Sequence, residues 1–254
     1  MILTRAYPIG GGPIADAPGA GLPIDLDASD ARERIAEWYR PPRADWVRLN
    51  LIGTLSGSAV GPDGTSETIT NPVDRVILRV IRGLADVVLV GAASVRAEGY
   101  FVPRHAALAV VSRTGDFTGH RISRSGSGER GPLLVLCPQG SVRRARETMN
   151  DPAARIFPVP DVGGSLPAVA IVGALRDAGY SSIVAEGGPA IAAHLVTGGV
   201  IDEVCLTTSP QLNGARLPLF GSEEFTPIPL TLTQLLIDDG GATYARWGVA
   251  RAGG

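Results

Sequence analysis

The sequence predicts an α/β fold with a mostly parallel central sheet, helices on both faces and a C-terminal antiparallel hairpin. Three observations carry this expectation. Residues 86–90, 108–112, 133–137 and 156–159 are apolar without alternation, the pattern of strands buried on both faces. Helical patterns recur among them, as the crossovers of a parallel sheet require. Near the end, Asp239-Gly240-Gly241 separates two strand-like runs, which marks a tight antiparallel turn. A chain of 254 residues is long enough to bury a substantial core in one large domain.

Taken in order, residues 1–28 are rich in Gly, Pro and Ala, including Gly10-Gly11-Gly12-Pro13, and are expected as an extended or loosely packed arm. With a short helix over 30–39, stopped by Pro41-Pro42, they form an N-terminal segment, 1–44, ahead of a main domain over 45–254. Residues 46–55 make a first strand, because Val47, Leu49 and Leu51 alternate with Arg48 and Asn50. A Gly/Ser loop follows to residue 67. A helix over 72–84 then gathers Val73, Val76, Ile77, Val80 and Ile81 on one side. Residues 114–131 are polar and rich in Gly, Ser and Arg, a mobile excursion. Residues 168–178 are helical, 183–186 and 204–208 are strands, and 230–238 with 242–250 form the closing hairpin.

Composition excludes several chemistries. The 23 basic residues, balanced by 25 acidic ones, are all arginine. There is no basic excess for nucleic acid, and no lysine for a Walker loop, a Schiff base or a general base. Cys137 and Cys205 lie in apolar runs and read as buried small hydrophobes. His105, His120 and His194 are scattered, with no metal-ligand spacing, so no metal is expected; His120, among Ser, Gly and Arg, reads as solvated. Gly-x-Ser-x-Gly is absent. No apolar run approaches the ~18 residues of a membrane span, and the N-terminus has no leader pattern, so a soluble, cytoplasmic protein without a membrane partner is expected.

The most informative stretch is Ile183-Val184-Ala185-Glu186-Gly187-Gly188-Pro189, a strand that ends in a carboxylate and two glycines before a helix over 190–196. Glycines admit a ligand close to the backbone, Pro189 suits the first helical position, and the N–H groups of that turn attract an anion. A second copy of the design runs from Val87 through Gly91-Ala92-Ala93-Ser94-Val95 to Glu98, with Ser94 as the expected cap. Two such turns imply an elongated ligand with several phosphates, such as a dinucleotide. Ser112-Arg113-Thr114, directly after a strand, is a plausible grip on a 2′-phosphate.

Thr54-Leu55-Ser56-Gly57, the segment from Gly91 to Glu98, Glu186-Gly187-Gly188-Pro189, Val200-Ile201-Asp202-Glu203-Val204 and Pro210-Gln211-Leu212-Asn213-Gly214 occur in an order and spacing that resemble the reductase domain of riboflavin biosynthesis. The resemblance covers about residues 45–250 and implies the three-layer dihydrofolate reductase-like fold. In that family the reductase is often fused behind a zinc deaminase. Here the absence of Cys-x-x-Cys and His-x-Glu leaves no room for one, so a stand-alone reductase is expected. The implied reaction is NADPH-dependent reduction of a pyrimidine-linked ribose phosphate to a ribityl chain. Carried over by position, the cofactor sites are Ile52, Thr68, Ser94, Glu98, Gly188, Pro189, Ala190, Ile191 and Ala192; the two turns and the strand-end pair add Gly91, Ala92, Val95, Ser112, Arg113 and Gly187. Ser66, Arg82 and Glu186 are the implied substrate sites. The sequence departs from the family at Ser56, where the pattern has Asp.

Hydride transfer needs two rigid pockets and a proton source but no protein nucleophile, consistent with the missing triad. Glu186 is the catalytic candidate, with a helix-dipole carboxylate as its plainer role. Arg82 is either a phosphate ligand or a solvated last-turn arginine. Glu98 would bond a ribose hydroxyl or cap its turn. Two other readings stay open: a dihydrofolate reductase-type enzyme, in which Asp63 is the acid that holds a pterin rather than a turn residue, and a non-catalytic nucleotide- or flavin-binding module. The apolar terminal strand over 230–236 points to a homodimer.

Overall fold

The computed structural model describes residues 1–7, 23–124, 130–214 and 217–250. In chain order the elements are β1 (Ile2–Tyr7), β2 (Pro23–Asp25), α1 (Ala31–Tyr39), β3 (Val47–Thr54), α2 (Pro72–Gly83), β4 (Val87–Gly91), α3 (Ala92–Ala97), β5 (Tyr100–Phe101), β6 (Ala107–Val111), β7 (Ile122–Ser123), β8 (Leu133–Pro138), α4 (Val142–Met149), β9 (Arg155–Val159), α5 (Ala168–Asp177), β10 (Ile183–Glu186), α6 (Pro189–Thr197), β11 (Glu203–Ser209), β12 (Leu230–Asp238) and β13 (Thr243–Val249). They group into two compact units, one of residues 1–42, 48–84 and 201–254, the other of residues 43–47 and 85–200.

In the first unit the strands run in the order β2-β1-β12-β13-β11-β3. Only the β11/β3 pair is parallel. The closing hairpin is present, its turn stitched by Asp238 Oδ1, which accepts the N–H groups of Gly240 and Ala242 at 2.9 Å each. Two expectations are corrected here. Residues 2–7 and 23–25 are sheet strands rather than a loose arm, because Leu3 and Ile24 are fully buried and β1 finds a full-length partner in β12. The Gly10-Gly11-Gly12-Pro13 run lies outside the described residues. Arg48, read as the exposed side of an alternating strand, is only 2% exposed. Its charge is met on the neighbouring strand, where its Nε stands 2.5 Å from Glu203 Oε2. α2 follows its sequence signals: Asn71 Oδ1 accepts the Asp74 N–H at 2.8 Å, Pro72 opens the first turn, and Val73, Ile77, Val80 and Ile81 are buried.

The second unit holds five parallel strands in the order β10-β4-β6-β8-β9. β4, β6 and β8 are buried along almost their whole length, which explains their unbroken apolar sequences. α4 had no expectation from the sequence. Its fully buried residues are Ala145 and Met149, with Val142 half-buried against the same core, set among arginines. The excursion over 114–131 is anchored rather than loose in its described part. Phe117 is fully buried, its N–H donates to Thr148 Oγ1 at 3.0 Å, Arg144 pairs with Asp116 at 2.7 Å, and β7 pairs with β5. His120 is likewise part of this anchor instead of solvated: its Nδ1 accepts the Ile122 N–H at 3.3 Å and its Nε2 contacts Met149 O at 2.9 Å.

Candidate active site

From β4 the second unit's sheet grows outward through β6, β8 and β9, and the chain then returns to place β10 on the opposite side of β4. Connections on the two sides of β4 and β10 therefore leave in opposite directions. A crevice opens beyond the carboxyl ends of such a strand pair, where open α/β sheets bind ligands. Ala185 pairs with Leu89, so Glu186 and Gly187 come level with Val90 and Gly91. Gly91 in turn pairs with Val111 on β6, directly before Ser112 and Arg113. Glu186, both glycine turns and the Ser112-Arg113 pair thus line one edge of three adjacent strands.

The two turns are joined by a hydrogen bond. Ser94 is not the cap of its own helix, a place taken by Gly91, whose extended backbone (φ −82°, ψ 151°) lets α3 start at Ala92. Ser94 falls in the first turn of that helix and its Oγ accepts the Gly188 N–H at 2.7 Å. A Cβ on Gly188 would stand 3.0 Å from Ser94 Oγ, and one on Gly187 would stand 3.0 Å from Ile191 Cγ2. A Cβ at either glycine would therefore press on a side chain of the turns themselves. Pro189 occupies the first helical position of α6 and carries no N–H, while the Ile191 and Ala192 N–H groups reach Gly188 O. The exposed Ala190 N–H is left as the open donor of this turn.

Around this pair, Glu186 closes β10 with only 5% exposure. Ser112 is buried, its Oγ 3.3 Å from Asp116 O. The Arg113 guanidinium is exposed and makes no hydrogen bond or ion pair with a described residue. Glu98 ends α3, donating its N–H to Ser94 O at 2.8 Å. Val95, Ala92 and Ala192 are buried and support the turns from beneath.

Ile52, Asp63, Ser66, Thr68 and Arg82 belong to the first unit. Ile52 is half-buried on β3, Ser66 is half-buried in the following loop, and Arg82 is half-buried in the last turn of α2. Asp63 is exposed and accepts from Thr65 N, Thr65 Oγ1 and Thr68 Oγ1 at 3.1, 2.6 and 2.7 Å. Those bonds hold its carboxyl below the usual range. This is the turn role that the Asp63-Gly64 pair announces. Thr68's hydroxyl is committed to the same turn. Asn213, quoted above only as part of a motif, ties the end of β3 in place: its Oδ1 accepts from Thr54 Oγ1 at 2.8 Å and from Ser56 Oγ at 3.0 Å. Ser56 thus spends its hydroxyl on the fold where the family pattern has a carboxylate.

Burial raises the Cys137 thiol and pushes Cys205 up to about 12, so neither is a thiolate nucleophile near neutral pH. Among the described residues no cluster of His, Cys, Asp and Glu is arranged to hold a metal, and no helix is long and apolar enough to cross a membrane.

Residues 45–244 match the family described as the RibD C-terminal domain. No curated protein sequence matches the chain. Among solved structures, a pyrimidine reductase-like protein from Corynebacterium diphtheriae is 21% identical, with a TM-score of 0.68 over 87% of this chain and 99% of that one. The Thermotoga maritima diaminohydroxyphosphoribosylaminopyrimidine deaminase/5-amino-6-(5-phosphoribosylamino)uracil reductase is 18% identical, with a TM-score of 0.66 over 87% of this chain and 59% of that one. The riboflavin biosynthesis reductase of Saccharomyces cerevisiae is 14% identical, with a TM-score of 0.62 over 87% and 100%. At these identities the structural likeness establishes a shared fold. The family match covers most of the chain in its own right, and the chain belongs to the RibD C-terminal domain family.

Proposed function

We propose that this chain is an NADPH-dependent reductase of a ribosylamino-pyrimidine 5′-phosphate in riboflavin biosynthesis, acting as a cytoplasmic homodimer. The observation that carries the reading is the alignment of Glu186, the two glycine turns and Arg113 along the carboxyl ends of β10, β4 and β6. The residues fit a dinucleotide. The two turns stand side by side at the strand ends, Ala190 offers an open N–H at a helix start, and Arg113 supplies an exposed guanidinium for a 2′-phosphate. NADPH, when bound, supplies the hydride.

Reduction at the anomeric carbon takes up one hydride and one proton, so the protein's share is to orient the sugar, exclude water and deliver that proton. Glu186 is the buried carboxylate at this edge and takes the orienting or proton-relaying part. For Ser66 and Arg82 as substrate contacts the proposal rests on the family resemblance. The homodimer reading rests on the terminal hairpin, where Leu230 and Ile237 are exposed, and sedimentation at micromolar concentration checks it. The deciding experiment is turnover of NADPH with the ribosylamino-pyrimidine phosphate and with dihydrofolate, side by side. Oxidation with the first substrate alone is expected. Turnover with dihydrofolate alone, or with neither, overturns the proposal.

A further inference from the structure

On one face of the first unit's sheet two arginines share a single carboxylate and a third stands near them. Arg48 on β3 and Arg246 on β13 both bind Glu203 on β11, their Nε atoms 2.5 and 2.8 Å from its two oxygens. Their other N–H groups reach backbone carbonyls of α1, Tyr39 O from Arg48 and Trp38 O from Arg246. Two cations on one anion already leave an excess of positive charge, and Arg5 on β1 adds to it. Gln234 stands opposite Arg246 and Leu236 stands opposite Arg5. Gln234 and Leu236 are two residues apart, so Arg5, Gln234 and Arg246 project from the same face of adjacent strands.

The Arg5 guanidinium lies over the Trp38 ring, 5.4 Å from its centroid. Arg5 is 8% exposed, and its Nε is buried with no hydrogen-bond partner. Beside it Gln234 is fully buried, with both Oε1 and Nε2 unpartnered. Gln234 also sits where the β12/β13 register shifts, an irregularity of the kind that re-aims a side chain. Burial and the neighbouring Arg246 lower the Arg5 pKa, yet a guanidinium keeps its proton at any pH the fold survives. Desolvated cations and amides without partners are strongly disfavoured, so this arrangement calls for a compensating group.

We propose that a small anion of the chloride class binds beneath α1, accepting from Arg5 Nε and the Gln234 side-chain N–H and balancing the excess charge of Arg48 and Arg246. Arg5, Gln234 and Arg246 are at most 8% exposed, and burial this deep excludes an organic or phosphorylated ligand and restricts the occupant to a monatomic ion. The site is independent of the dinucleotide crevice and of the reductase reading.

Bromide is the probe. A crystal of the whole chain soaked in sodium bromide should show an anomalous peak within hydrogen-bonding reach of Arg5 Nε and Gln234 Nε2. In solution the melting temperature should rise in chloride relative to gluconate at equal ionic strength, by about 5–10 °C once the anion is 100-fold above its Kd. Arg5→Met should abolish that difference. If the variant does not fold, the bromide map of the unaltered chain still decides. An empty map, the Gln234 carbonyl seated on Arg5 Nε, or equal melting in the two salts overturns the proposal.

Discussion

Replacing Gly188 by alanine, alone and together with Ser94→Ala, isolates the contact between the two turns. At φ −58° and ψ 161° an alanine is relaxed at this position, so the backbone adds no strain of its own. The new Cβ stands 3.0 Å from Ser94 Oγ, the atom that accepts the Gly188 N–H at 2.7 Å. The hydroxyl must swing away, and a partly buried N–H loses its acceptor, at a cost of about 1–3 kcal/mol. Ser94→Ala removes the same bond and should cost a similar amount. Because the two changes destroy one interaction, the double variant should be no less stable than Ser94→Ala. The reduced unfolded-state entropy of alanine should even return about 0.4–1 kcal/mol. Urea unfolding of the four proteins at a common m-value measures this directly. Costs that add to within about 0.3–0.5 kcal/mol, as those of independent sites do, would refute the link between the turns.

Glu186→Gln keeps shape and removes charge, and should lower kcat/KM for the pyrimidine substrate by roughly 10²-fold with NADPH affinity unchanged; normal turnover with a lowered melting point would make Glu186 a helix-dipole carboxylate only. Arg113→Gln should weaken NADPH binding by about tenfold or more while leaving NADH unaffected, as paired fluorescence titrations would show. Glu203→Gln leaves two buried arginines without their carboxylate and should cost about 3–5 kcal/mol in chemical unfolding. Burial pushes the Glu203 carboxyl up, but Arg48 and Arg246 together outweigh it and hold the group below its ordinary value of 4.5. The pair's contribution is therefore complete above that value and is lost as pH falls through the depressed folded value, so acid should cost the unaltered protein stability that Glu203→Gln lacks already.

β4, β6, β8 and β10 were legible because both of their faces are buried, and a short continuous apolar run between turn residues is what such burial demands of a strand. The same holds for α6, whose Gly-Gly-Pro start is local chemistry. α4 was not legible, since its fully buried residues are two among arginines and amphipathic periodicity needs more. β1 escaped for a related reason. Its inward positions include Arg5, and a buried cation breaks the alternation by which a strand is recognised. At the candidate site, the partnerships between residues could not be read from the sequence. Ser94 looks like a helix cap in sequence, and only the pairing of β10 with β4 brings it to an N–H 94 positions away. Asp63 shows the opposite case: the Asp-Gly pair announces a turn, and the structure gives that carboxylate to turn hydroxyls.

The order in which the first unit is assembled along the chain has a consequence for synthesis. Leu3 pairs with Asp238, and β3 pairs with β11, while the whole segment 85–200 of the second unit is threaded between. A chain emerging from the ribosome can close the parallel strands of the second unit as soon as residue 186 or so is made. The first strand it produced can pair early with β2 over residues 2–4, but its other side must wait for almost the last strand. During that interval β1 and β3 are unsatisfied edges of the kind that join neighbouring chains. Expression temperature and chaperone supply should therefore govern the yield of this protein more than its equilibrium stability does, since the hazard lies in the waiting.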